Sequence, residues 1–139
     1  MTRVVHILLV DAIELFRRFI SLILLADATL HIAGEASDGL EAVQKAKEIQ
    51  PDLILLDFDL PSVSGIELVR RMRRVSTLSK IVVVTHHSSP AVLREAFAAG
   101  GQGYITKARV VQDLLPAIEA VLQGDRFVSK GLAASLDDV

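Results

Sequence analysis

The run Leu53-Ile54-Leu55-Leu56 is apolar without interruption and ends in a charge, Asp57. It shows no alternation of polar and apolar side chains, so a strand here is buried on both faces. Lys80 to Thr85 is a second such run, rich in β-branched residues, and Val5 to Val10 reads as a third strand. Leu30 to Ala36 and Gly103 to Thr106 complete a set of five. Helical patterns lie between them. Phe16, Phe19, Ile20, Ile23 and Leu24 recur at helical spacing up to about Ala26. Ser37-Asp38-Gly39 opens a helix that Pro51 stops, and another runs from about Ile66 to Arg74. Pro90 begins a helix ending near Gly100-Gly101, and the last runs from about Val110 to Gln123 before Gly124. The alternation is (βα)5, an α/β arrangement. Strands buried on both faces and joined by helices imply a parallel five-stranded sheet doubly wound with helices, its crossovers right-handed.

A chain of 139 residues suits one domain with a single core. Residues 1–124 are expected to form it. Residues 125–139 read as a tail, with a short helix over Lys130 to Leu136 or the start of a linker to an output domain outside this chain. The net charge of −2 gives no electrostatic case for nucleic acid or an anionic membrane. No cysteine is present, which removes disulfides, thiolate metal sites and cysteine nucleophiles, and fits a reducing cytoplasm. Mean hydropathy is high at +0.45. Yet the most apolar stretch, Ile13 to Ala36, holds Glu14, Arg17, Arg18, Asp27, His31 and Glu35, so no membrane span is expected. No secretory signal is expected either, since the apolar run after Arg3 is short and ends at Asp11.

In an open parallel sheet, ligands bind beyond the carboxyl ends of the strands. Asp11, Asp57, Thr85 and Thr106-Lys107 stand at four of those ends. Singly, each has an ordinary role: an aspartate caps a helix, a threonine ends a strand, a lysine is solvated. Jointly they bring two carboxylates, a hydroxyl and an ammonium to one edge. Converging carboxylates suit a hard cation such as Mg2+, and the hydroxyl and ammonium suit a phosphoryl group.

Ile7 to Asp11, Pro51 to Pro61 with Gly65, Ile81 to Thr85, and Ala99 to Lys107 together resemble the response regulator receiver domain. The resemblance covers about residues 4 to 123, and Gly124 to Ser129 resembles the end of receivers of the NarL/FixJ subfamily. It implies a flavodoxin-like fold with strand order 2-1-3-4-5. It implies that Asp57 takes a phosphoryl group from a sensor histidine kinase, and that Asp11, Asp57 and the carbonyl of Asp59 hold Mg2+. Thr85 would bond the phosphoryl oxygens, Lys107 would pair with them, and Tyr104 would be the switch that turns inward on activation. The output would be transcriptional, through a LuxR-type helix-turn-helix domain that this chain lacks. The chain itself would not bind nucleic acid. Homodimerisation would use the fourth helix, fifth strand and fifth helix, where Ala91, Val92, Ala96, Ala98 and Ala99 make a small-faced surface.

The sequence departs from this pattern. Receivers carry two adjacent acids after the first strand, and here Ala12 takes the second place. One hard ligand is lost, so a weakened Mg2+ site is expected, with the Asp59 carboxylate the favoured substitute and Glu14 the other. His86, straight after Thr85, is expected to crowd the pocket. His6 and His31 read as structural, and Arg70-Arg71-Arg73-Arg74 as a solvated helix face. Ala12 and His86 keep open a phosphorylation-independent pseudo-receiver that acts only as an interaction module. A flavin-binding or metabolic enzyme on the same fold is disfavoured by the missing glycine-rich phosphate loop.

Overall fold

The structure is a computed structural model and describes residues 3–61 and 63–132. Six parallel strands form one sheet: β1 (Val5–Val10), β2 (Leu30–Ala36), β3 (Leu53–Asp57), β4 (Lys80–Thr85), β5 (Gly103–Thr106) and β6 (Phe127–Val128). Their order is β2-β1-β3-β4-β5-β6. The order expected for the first five holds. Phe127–Val128 adds a strand beyond the expected five, pairing in parallel with β5. Five helices connect the strands: α1 (Glu14–Leu24), α2 (Gly39–Ile49), α3 (Gly65–Val75), α4 (Pro90–Ala99) and α5 (Val110–Leu122). In the tail, Lys130–Leu132 form a turn; the rest of the helix expected there, residues 133–136, lies outside the described residues.

The apolar runs explain the layers. Alternate residues of each strand point to opposite faces, and both faces are covered. Leu8, Val10, Ile54, Leu56, Ile81, Val83 and Tyr104 pack in one core layer with α2, α3 and α4. Ile7, Leu9, Leu53, Leu55, Val82, Val84 and Ile105 pack in the other with α1 and α5. Each fully buried Leu or Ile contributes about 1.5–3 kcal/mol relative to exposure. Among the described residues no helix is long and apolar enough to cross a membrane.

Helix starts follow from short polar side chains. Asp38, Ser64 and Ser89 accept hydrogen bonds from the backbone N–H groups of Glu41, Glu67 and Val92. Pro90 fills the first turn of α4, where a missing N–H costs nothing. Gly100 ends that helix at φ 122°, a conformation that side chains disfavour. Strand register then aligns the functional edge: Val10 pairs with Leu56, Asp57 with Val84, and Thr85 with Thr106.

Candidate phosphoryl-acceptor site

Asp57 closes β3, and Asp11 follows β1 directly. They stand at the carboxyl ends of neighbouring strands, and both are buried, at 4% and 2% exposure. Lys107 reaches them from the 3-10 turn Lys107–Arg109 that follows β5. Its Nζ lies 3.0 Å from Asp11 Oδ2 and 3.5 Å from Asp57 Oδ1, with the side chain 7% exposed. The ring of Phe16 on α1 sits beneath the same ammonium, 4.5 Å from Nζ to the centroid. An aromatic face stabilises a desolvated cation there. Asp11 Oδ1 also accepts the Ile13 N–H at 2.8 Å, which shapes the turn leading into α1 without capping the helix. Arg17 anchors this corner by donating to the Asp11 carbonyl at 2.6 Å and pairing with Glu35 at 2.9 Å.

Burial pushes the Asp57 carboxyl above its ordinary value. Asp11 and Asp59 add to the rise, while the Asp59 N–H, bonded to Asp57 Oδ1 at 2.9 Å, and Lys107 oppose it. One ammonium thus serves two buried carboxylates, and the pocket keeps an excess of negative charge that a cation would offset.

The expected residues divide into two groups. Asp11, Asp57 and Lys107 converge. Thr85, fully buried, and Asp59 form a second group beside them. The Asp59 carboxylate turns to the Thr85 hydroxyl (3.3 and 3.4 Å), the His86 N–H (3.2 Å) and His87 Nε2 (3.0 Å). These partners occupy the carboxylate favoured in the sequence reading as a replacement metal ligand. Glu14 instead pairs with Arg18 on the exposed face of α1 at 2.9 Å. Ala12 is exposed. Among the described residues, no three His, Cys, Asp or Glu side chains assemble into a metal-holding group. The carboxylates that remain around Lys107 are therefore those of Asp11 and Asp57. Two hard carboxylates suit Mg2+, which readily keeps water in its remaining places.

The histidine with a ring at the site is His87; His86 is exposed and contributes its backbone N–H. Tyr104 is 0% exposed, and its hydroxyl donates to the His87 carbonyl at 3.0 Å. The ring thus points inward, toward the loop after β4. Burial, with the Asp59 charge nearby, pushes its phenol up to about 12. Sequence reasoning missed Phe16 and His87. Phe16 read as one more apolar residue of α1, and no local signal tied it to an ammonium 91 positions later; His87 was passed over for its neighbour.

Residues 7–119 match the family model for the response regulator receiver domain. The chain is 33% identical over 132 residues to the response regulator GacA of Pseudomonas syringae pv. syringae, covering 95% of this chain and 62% of that protein. It is 31% identical over 132 residues to the response regulator UvrY of Escherichia coli K12, covering 95% of this chain and 61% of that protein. It thus spans somewhat over three fifths of the length of these curated relatives. A solved LuxR-family two-component response regulator from Aurantimonas sp. SI85-9A1 superposes with a TM-score of 0.90 at 32% identity, covering 97% of this chain and 96% of that one.

Proposed function

The chain belongs to the response regulator receiver family, and on that premise we propose that it is a phosphorylation switch whose acceptor is Asp57. An Asp57 carboxylate oxygen attacks the phosphorus of a phosphohistidine on a sensor kinase. The P–N bond breaks, and the imidazole leaves with the electron pair. The observation that carries this reading is the Lys107 ammonium, buried between Asp11 and Asp57 at 3.0 and 3.5 Å. A buried ammonium beside a carboxylate with raised proton affinity is placed to pair with the oxygens of an incoming phosphoryl group. Thr85 supplies a hydroxyl donor from the next strand.

Receiver domains generally bind Mg2+ at their acidic pocket. Here Asp11, Asp57 and the Asp59 carbonyl would hold it, and Ala12 leaves one place to water. When bound, the ion neutralises charge on the transferring group. Weakened affinity relative to a two-acid pocket follows from the lost carboxylate.

The new aspartyl phosphate adds roughly −1.5 to −2 charges. It competes with Asp59 for the Thr85 hydroxyl and draws on Lys107. The loop after β4, which carries His86 and His87, then rearranges relative to Tyr104 and α4. Output is proposed to be transcriptional, through a DNA-binding domain outside this chain, in the cytoplasm. A homodimer through α4, β5 and α5 would also meet β6, which lies along β5. The second reading, a phosphorylation-independent module, draws on one observation: Thr85 and the His86 N–H already contact a carboxylate, and Tyr104 is already buried.

The test is incubation with Mg2+ and acetyl phosphate, read by intact mass, together with beryllofluoride titration followed by NMR. A single phosphoryl adduct, absent in Asp57→Asn, is expected. No adduct and no spectral change would establish the pseudo-receiver instead.

A further inference from the structure

After α5 the chain turns back onto the sheet. Phe127 and Val128 pair with Gly103 and Tyr104, and Ser129 follows with 0% exposure. The Ser129 hydroxyl donates to Asp113 Oδ2 at 2.8 Å and accepts the Thr106 N–H at 3.0 Å. Its own N–H donates to the Tyr104 carbonyl at 3.0 Å. Asp113, on the first turn of α5, is itself buried and takes two hydrogen bonds from the Arg109 guanidinium, at 3.0 and 3.3 Å. Val128 and Leu132 join the core layer that contains Tyr104 and Phe97, and the Arg126 guanidinium lies 5.1 Å over the Phe97 ring. Residues 126–132 thus form a strap fastened to β5, α4 and α5.

The strap meets the pocket at one short segment. Thr106 precedes Lys107, and Arg109 ends the turn that carries it. The Asp113–Ser129 pair holds both ends of that turn: Ser129 fixes the Thr106 backbone, and Asp113 fixes the Arg109 side chain. The Lys107 ammonium itself pairs with Asp11 and Asp57 instead. It reaches between them from a turn whose flanking residues, Thr106 and Arg109, are both bonded to the Asp113–Ser129 pair. A flexible lysine stem loses considerable rotamer freedom on ordering, so a fixed origin matters.

We propose that Ser129 and Asp113 are positioning residues for Lys107, and that docking of the 126–132 strap is thereby coupled to occupancy of the pocket. Lys107 aims into the pocket best when the strap is docked. By thermodynamic reciprocity, a phosphoryl group held by Lys107 tightens the strap by the same factor that the strap tightens the phosphoryl group. The segment leading out of the domain is therefore a direct reader of the pocket, through β5 and β6. Only the phosphoryl half of this inference rests on Asp57 as acceptor.

The experiment uses the full chain with Ser129→Ala, Asp113→Asn and Leu132→Ala. Three quantities are read: the Lys107 ε-methylene resonances without any phosphoryl analogue, beryllofluoride affinity at saturating Mg2+, and amide exchange at Val128 and Ser129. Ser129→Ala is expected to shift the Lys107 resonances and weaken beryllofluoride binding roughly fivefold or more, within the usual range of coupling. Asp113→Asn should act in the same direction. Beryllofluoride should slow strap exchange in the wild type by a matching factor. Leu132→Ala loosens the strap without touching the Ser129 hydroxyl and should give a smaller effect of the same sign; it carries the test if Ser129→Ala fails to fold. Strap amides that lose protection while the Lys107 resonances and beryllofluoride affinity stay at wild-type values would overturn the proposal. A wild type that binds no beryllofluoride refutes the acceptor reading instead, and the Lys107 resonances still decide the positioning claim.

Discussion

Replacing Asp57 with asparagine should stabilise the domain at neutral pH. The argument is electrostatic. Asp11, Lys107 and Asp57 carry two negative charges and one positive charge in a pocket where all three are at most 7% exposed. With an effective dielectric near 20, attraction between Lys107 and Asp57 at 3.5 Å is about 5 kcal/mol. Against it stand several kcal/mol of desolvation for the carboxylate and repulsion from Asp11 and Asp59. The raised proton affinity of Asp57 says that the opposing side wins. Asparagine keeps the shape, relieves the excess charge and leaves Lys107 paired with Asp11. The expected gain is about 1–2 kcal/mol, or roughly 3–8 °C in Tm for a domain of this size.

The sign with pH follows from linkage. The folded state binds the Asp57 proton more tightly than the unfolded state, whose ordinary value is 3.8. Below that value both states are protonated, and the group costs nothing. As pH rises through the folded value the wild type loses stability, and the loss is complete above it. Calorimetry of both proteins from pH 4 to 8, with chelator present, should therefore show curves that converge near pH 4 and separate toward pH 8. An asparagine variant no more stable at pH 8, or a gap independent of pH, would refute the reasoning.

Three further outcomes can be checked directly. Ala12→Asp restores a second acid beside Asp11 and should raise Mg2+ affinity severalfold, since each hard ligand counts for a small cation; equal affinities in a calorimetric titration would sink the weakened-site claim. Tyr104 is the only tyrosine, so ultraviolet titration reports it alone; ionisation should come near pH 12 or with unfolding, and a midpoint at the ordinary value near 10 would contradict its burial. Gly65→Ala drives a methyl into the Phe58 ring, beside the site; a loss of about 1–3 kcal/mol in denaturant unfolding is expected from the forced shift.

Much of this protein was legible in the chain because its signals are local. Unbroken apolar runs such as Leu53–Leu56 require burial on both faces, and that requirement, with helical spacing between the runs, specifies the wound parallel sheet. Short polar residues before helices specify where they start. Strand ends can be located the same way, so Asp11, Asp57, Thr85 and Lys107 could be gathered at one edge before any coordinates. What the sequence could not decide is which charge meets which. Asp59 lies two residues from Asp57, yet its carboxylate pairs with His87 and Thr85, because the loops after β3 and β4 are adjacent only in the folded sheet. Phe16 beneath Lys107 joins α1 to the end of β5 across the pocket. The strap is the clearest case: Phe127–Val128 is too short to announce a strand, and Ser129 finds Asp113 and Thr106 only because the sheet leaves the edge of β5 open to it. Periodicity is written along the chain, whereas pairing of buried polar groups is fixed by which distant segments packing brings within about 3 Å.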